Sequence, residues 1–180
     1  MRSRKAKGLM LWPICLVALA ACATTSQQPM AARTPVDLGR FMGDWYVIAS
    51  IPTALETKAY NAVESYARNP DGTIATTFTF NKGGFSGPLQ RHTPRGFVRP
   101  GSGNAVWGMR FIWPIKAEYI VAHVDNAYTE TIIGRSKRDY VWIMARTPLI
   151  AADRYQSLVQ RVQALGYDIA KLNRVPQQPR

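Results

Sequence analysis

Gly43-Asp44-Trp45-Tyr46-Val47-Ile48-Ala49-Ser50-Ile51-Pro52 opens the first strand-like run of the chain, and Asp139-Tyr140-Val141-Trp142-Ile143-Met144-Ala145-Arg146-Thr147-Pro148 closes the last. The glycine ahead of Trp45 lets the backbone enter the strand tightly. Trp45 is a large apolar plate that needs a lid or a partner once buried. A guanidinium stacked on the indole face is such a partner, and Arg146, at the other end of the sheet, can supply it. The two segments together read as the plug of a closed barrel, with short strands filling the chain between them.

Outward from residues 45–51, Pro52 ends the first strand and residues 53–59 read as a loop. A second strand over 60–68 leads to the turn Asn69-Pro70-Asp71-Gly72. Residues 73–80 alternate, with Ile74, Thr76, Phe78 and Phe80 on one face. After a glycine-rich turn, residues 89–98 form a broken strand, because Pro94 and Gly96 demote its middle to an edge or bulge. Residues 105–112 set Trp107, Met109 and Phe111 against Gly108 and Arg110, and Pro114 interrupts the run. Strands over 119–124, 130–135 and 140–147 follow, separated by hairpin-length turns. Eight evenly spaced strands predict an all-β fold, an up-and-down antiparallel β-barrel that removes the edges an open sheet exposes.

The period changes only after the last strand. Tyr155, Leu158, Val159, Val162 and Leu165 recur at three- and four-residue steps, the mark of an amphipathic α-helix over 151–165 that Gly166 ends. Its apolar stripe is expected to pack on the outside of the barrel. A short ninth strand is expected within 167–175, and Asp37 is expected to cap a helical turn ahead of the first strand. The barrel with its C-terminal helix thus occupies 36–176, and residues 177–180 read as a disordered tail.

The N-terminal region has a different character. Arg2, Arg4, Lys5 and Lys7 precede an apolar run over 8–20, which is shorter than the roughly 20 residues a spanning helix needs. Residues 1–21 therefore read as a secretory signal peptide, whose removal leaves 159 residues, one domain's worth. Leu19-Ala20-Ala21-Cys22 resembles the bacterial lipobox, in which the cysteine is lipid-modified. Cys15 leaves with the signal, so Cys22 has no intramolecular partner and is expected to carry the lipid anchor. Ala23 stands where an aspartate marks inner-membrane retention in enterobacterial lipoproteins, so the resemblance implies the outer membrane. Residues 22–35 cannot build a core and read as a lipidated tether.

The formal net charge is +12; without the four basic residues of the leader, 19 cations face 11 acids. Export excludes nucleic acid as an ordinary partner. The excess charge suits a surface attracted to anionic head groups, or a solvated basic surface with no partner.

Gly43-x-Trp45-Tyr46, Asp125-x-x-Tyr128 and Arg146, in that order, resemble the three motifs of the lipocalins. Asp37-Leu38-x-Arg40-Phe41 ahead of the first motif, Arg138-Asp139-Tyr140-x-Trp142-Ile143 ahead of Arg146, and Gly166-Tyr167-Asp168-x-x-Lys171-Leu172 resemble the bacterial lipocalins in particular. The likeness covers nearly the whole mature chain. The chain departs from the family pattern over Phe111-Ile112-Trp113-Pro114-Ile115-Lys116 and in its third and fourth strands, so the resemblance does not name a ligand.

An eight-stranded barrel encloses room for one small ligand. Alternation together with the family pattern turns Trp45, Val47 and Ala49 inward, and with them the candidate ligand contacts Tyr66, Ile74, Thr76, Phe78, Trp107, Met109, Tyr119, Val121, Tyr140, Trp142 and Met144. Such a lining suits an acyl chain with its head group at the mouth. In the family register Glu64 falls inward beside Tyr66, where an ionised carboxylate needs a partner such as Arg110 or His123 or a wet position near the mouth; a strand shift that turns it outward is the reading preferred here.

Only His92 and His123 are present, so a three-histidine metal site is impossible. There is no Gly-x-Ser-x-Gly elbow, no phosphate-binding glycine loop and no obvious carboxylate pair. The expectation is a non-enzymatic outer membrane lipoprotein, anchored through Cys22 and facing the periplasm, that binds a fatty acid or lysophospholipid without a cofactor or metal. A homodimer stays open. An envelope protein-interaction module, or a lipocalin-fold enzyme acting on a lipophilic substrate, are the alternatives.

Overall fold

The computed structural model describes residues 29–178 apart from 54–55 and 113. The expected signal peptide, Cys22 and the first part of the tether lie outside the described residues. A short helix α1 (Leu38–Phe41) leads into β1 (Gly43–Ile51), β2 (Ala59–Arg68), β3 (Ile74–Lys82), β4 (Leu89–His92) and β5 (Arg95–Val98). β6 (Val106–Ile112), β7 (Ile115–Val124), β8 (Glu130–Gly134) and β9 (Val141–Ala145) complete the wall. Helix α2 (Ala152–Ala164) and the two-residue β10 (Asn173–Arg174) follow.

Successive strands pair antiparallel, and β9 returns to β1 with Val47 opposite Met144, so the barrel closes. The broken strand read from Pro94 and Gly96 is β4 plus β5, which together fill the fourth position. Among the described residues β4 is laddered to β3 alone, while β5 bridges β3 and β6.

Two apolar layers hold the fold. The interior layer includes Phe41, Trp45, Tyr66, Trp107, Tyr119 and Met144. The second lies between the barrel wall and α2, where Leu158 and Val162 of the helix meet Ile48, Ile132 and Ile143. The plug forms as the motif residues predict. The Arg146 guanidinium sits 3.8 Å from the Trp45 ring. Its N–H groups donate to the carbonyls of Arg40, Met42 and Asp44 at 2.7–2.8 Å. Gly43 holds φ at +93°, a conformation that favours glycine, and a Cβ there would touch Arg146 at 3.4 Å. The Asp125 carboxylate accepts the Thr129 and Glu130 N–H groups, and the Tyr128 hydroxyl accepts the Asp37 N–H, so the three motif segments meet at the closed end.

Several expectations are corrected. The register of β1 against β9 shifts between Val47 and Ala49. This bulge moves Ala49 into the layer under the helix rather than the interior. β7 starts at Ile115 rather than 119, because Ile112 pairs with Ile115 and places Pro114 in the turn. The expected ninth strand shrinks to β10, since Asp168 caps a 3-10 turn over Ile169–Lys171. The tail is tied down at its start: the Gln177 side chain donates to the carbonyls of Val47 and Ala62 at 2.9 Å. The segment read as a free tether to residue 35 is docked from Met30 onward. Met30 is buried, and the Arg33 N–H donates to the Val121 carbonyl at 2.8 Å.

Candidate ligand-binding cavity

The closed half of the barrel is filled by aromatic rings. Phe41 lies 5.1 Å from Trp45 and 5.6 Å from both Tyr66 and Trp107, centroid to centroid. Trp107 in turn stacks on Tyr119 at 5.1 Å with the planes 11° apart. Above this stack a cavity of about 490 Å³ reaches the open end, a volume within the range of small-molecule sites.

Phe78, Met109, Tyr119, Tyr140 and Trp142, all expected as ligand contacts, line the cavity. Tyr66, Ile74, Thr76, Trp107, Val121 and Met144 are buried but lie outside its lining; all but Thr76 belong to the interior apolar layer. Their facing follows the alternation. Their height along the barrel axis removes them from the lumen.

Other lining residues were not expected: Pro52, Thr53, Glu56, Glu64, His92, Phe111, Ala117, Arg135 and Asp139. Glu64 corrects the outward preference. It is 4% exposed and stands opposite Trp45 on one side and Phe78 on the other. Neither expected cation meets it: the Arg110 guanidinium covers the Phe97 ring at 4.8 Å, and His123 lines a separate groove with Arg33 and Arg161. Its hydrogen-bond partner is the Tyr66 hydroxyl, which also shares a bond with the Tyr119 hydroxyl. Burial, reinforced by the charge of Glu56, pushes the Glu64 pKa up to about 8, so a neutral carboxyl lines the cavity at pH 7.

Glu56 lies between β1 and β2 and lines the cavity. Its carboxylate accepts the Thr53 N–H at 2.8 Å and the Trp142 indole N–H at 2.7 Å, and burial raises its pKa. The inward indole of Trp142, which needs an acceptor once buried, is the one sequence signal that pointed to such a group. At the rim, Arg135 pairs with Asp139 at 3.1 Å. The Tyr140 hydroxyl donates to the Glu118 carbonyl. The arrangement offers an apolar, aromatic pocket with a neutral acid in its wall and a charged pair at its rim.

Residues 36–177 match the family model described as a lipocalin-like domain. The chain is 33% identical over 167 residues to temperature-induced lipocalin-1 of Arabidopsis thaliana, covering 85% of this chain and 86% of that protein. It is 28% identical over 169 residues to the outer membrane lipoprotein Blc of Escherichia coli, covering 87% and 94%. Among solved structures, the cockroach allergen Per a 4 superposes with a TM-score of 0.64 at 15% identity, over 84% of this chain and 94% of that one. Insecticyanin from the tobacco hornworm Manduca sexta gives 0.64 at 13% identity, over 81% and 83%. These two likenesses speak for the fold.

Proposed function

The chain belongs to the lipocalin family, whose members bind small hydrophobic ligands, and on that premise we propose that it is a fatty-acid or lysophospholipid carrier of the cell envelope. The observation that carries this reading is the cavity, blind at the aromatic stack and open at the other end, with Phe78, Met109, Tyr119, Tyr140 and Trp142 on its wall. An acyl chain lowered into it leaves water at about 0.8 kcal/mol per methylene. The adaptable thioether of Met109 tolerates chains of different length. A ligand carboxylate or phosphate would lose its water against the apolar walls and belongs at the mouth, near Arg135. Binding is passive and needs no catalytic group, cofactor or metal.

Cys22 carries the lipid anchor in this reading and holds the barrel at the periplasmic face of the outer membrane. The likeness to the Escherichia coli outer membrane lipoprotein supports that location.

Native mass spectrometry with lipid extraction tests the proposal on the chain from Ala23, purified from its host. A co-purified fatty acid or lysophospholipid is the expected result. A barrel that is empty and ignores added samples of both would reject the carrier and leave a protein-interaction module as the better account.

A further inference from the structure

Among the described residues, the open end of the barrel is formed around residues 52–53, 56–58, 83–88, 114 and 135–140. Six large apolar side chains are exposed among the described residues, and four of them, Phe85, Leu89, Phe111 and Ile115, stand at this end. Leu89 and Ile115 keep 64% and 72% of their surface in water. Exposed Lys82, Arg91 and Lys116 flank them. The nearby acids are engaged: Asp139 pairs with Arg135, and Glu118 accepts the Ser136 N–H at 2.7 Å. An apolar rim set among cations is suited to an anionic phospholipid surface.

The path of the N-terminal segment is an independent observation. Val36 is bonded at the closed end, where its N–H donates to the Gly103 carbonyl at 2.8 Å. Arg33 is held at Val121 on the wall, and the Met30 N–H reaches the Ser136 hydroxyl at 3.3 Å, beside the mouth. The chain therefore climbs the outside of the barrel and leaves it at the open end. Residues 22–28 span at most about 25 Å. Turning the closed end toward the bilayer would demand that they run back down a wall of roughly the same height, given ten-residue strands tilted as in other barrels.

We propose that the mouth faces the bilayer that holds the anchor and docks on it through the apolar and basic rim, so that an acyl chain passes between leaflet and cavity without crossing open water. The inference rests on the Cys22 anchor and the carrier reading. Among the described residues no ladder joins β4 to β6, and His92 and Phe111 at this rim both line the cavity.

The test uses the lipidated protein in vesicles of phosphatidylcholine and phosphatidylglycerol, with an environment-sensitive fluorophore at Ser86→Cys on the rim or Ala127→Cys at the closed end. A blue shift and quenching by lipid-borne nitroxide at position 86, with neither at 127, is expected. Contact at 127, or at neither position, overturns the orientation. Leu89→Asp with Ile115→Asp should cut the nitroxide quenching at 86 at least threefold while uptake of a dissolved fluorescent fatty acid is retained; unchanged quenching would reject rim docking. If the wild type takes up no dissolved amphiphile yet shows the 86-only pattern, the carrier reading fails and the orientation stands. A mature chain without acyl mass on Cys22 overturns the anchored arrangement.

Discussion

Arg146 lies at the closed end of the barrel, away from the cavity mouth, with its guanidinium against the Trp45 face and its N–H groups on the carbonyls of Arg40, Phe41, Met42, Asp44 and Tyr128. Truncation strips a stacked cation and leaves those carbonyls without their donors. Arg146→Ala should cost about 3 kcal/mol of stability, read by denaturant unfolding, while fatty-acid affinity changes less than about threefold. Unchanged stability would refute the plug. Glu64 makes a pH-dependent prediction. The unfolded chain releases this proton near 4.5 and the folded chain near 8, so between those values the folded state binds more protons. Stability from this group is full below 4.5 and is lost as pH rises toward 8, with a slope of up to about 1.4 kcal/mol per unit. Glu64→Gln should flatten the profile and raise the unfolding midpoint most above pH 8. A slope that persists in the variant would remove Glu64 as its source.

At the scale of elements, α2 is held by its buried stripe and by a capped C-terminus. There the Gly166 N–H donates to the Gln163 carbonyl and Arg138 Nε to the Leu165 carbonyl, while the N-cap is open. Leu158 and Val162 are buried against the wall, but Ala151 at the N-cap has extended backbone and no side-chain oxygen to accept the first free N–H groups. Ala151→Asp supplies an acceptor and a favourable charge at the helix dipole and should add about 1 kcal/mol, measured as a higher thermal midpoint. No gain would mean that the first turn is already satisfied by water. The β1 bulge is a second feature of this scale. It flips the strand after Val47, seating Ala49 under the helix and bringing Ser50 opposite Trp142.

For the whole molecule, the consequence of the aromatic stack is a short lumen. Ligand capacity depends on the upper half of the barrel, where Ala117 is one of the smallest lining residues. Ala117→Trp should fill the lumen and weaken binding of a fluorescent long-chain fatty acid at least tenfold, with the far-ultraviolet spectrum unchanged. Retained affinity would place the ligand elsewhere.

Local patterns in the chain carried most of the architecture. Period-two alternation, turn residues and the shift to a helical period identify the strands and α2, and the Trp45–Arg146 plug follows from two residue types that need each other once buried. The same alternation told which face Tyr66 and Trp107 present. It could not tell how far down the barrel they sit, because every second residue points inward at every height, and only the packed rings decide where the cavity begins. Glu56 was illegible for a different reason: its tie to Trp142 spans 86 residues of sequence and starts in a loop without periodicity. Glu64 appeared too costly to bury because its cost was judged for an ionised group; the enclosed barrel keeps the proton on. The exit of the N-terminal segment at the mouth likewise rests on non-local contacts of Met30 and Arg33 that no pattern within residues 22–35 encodes.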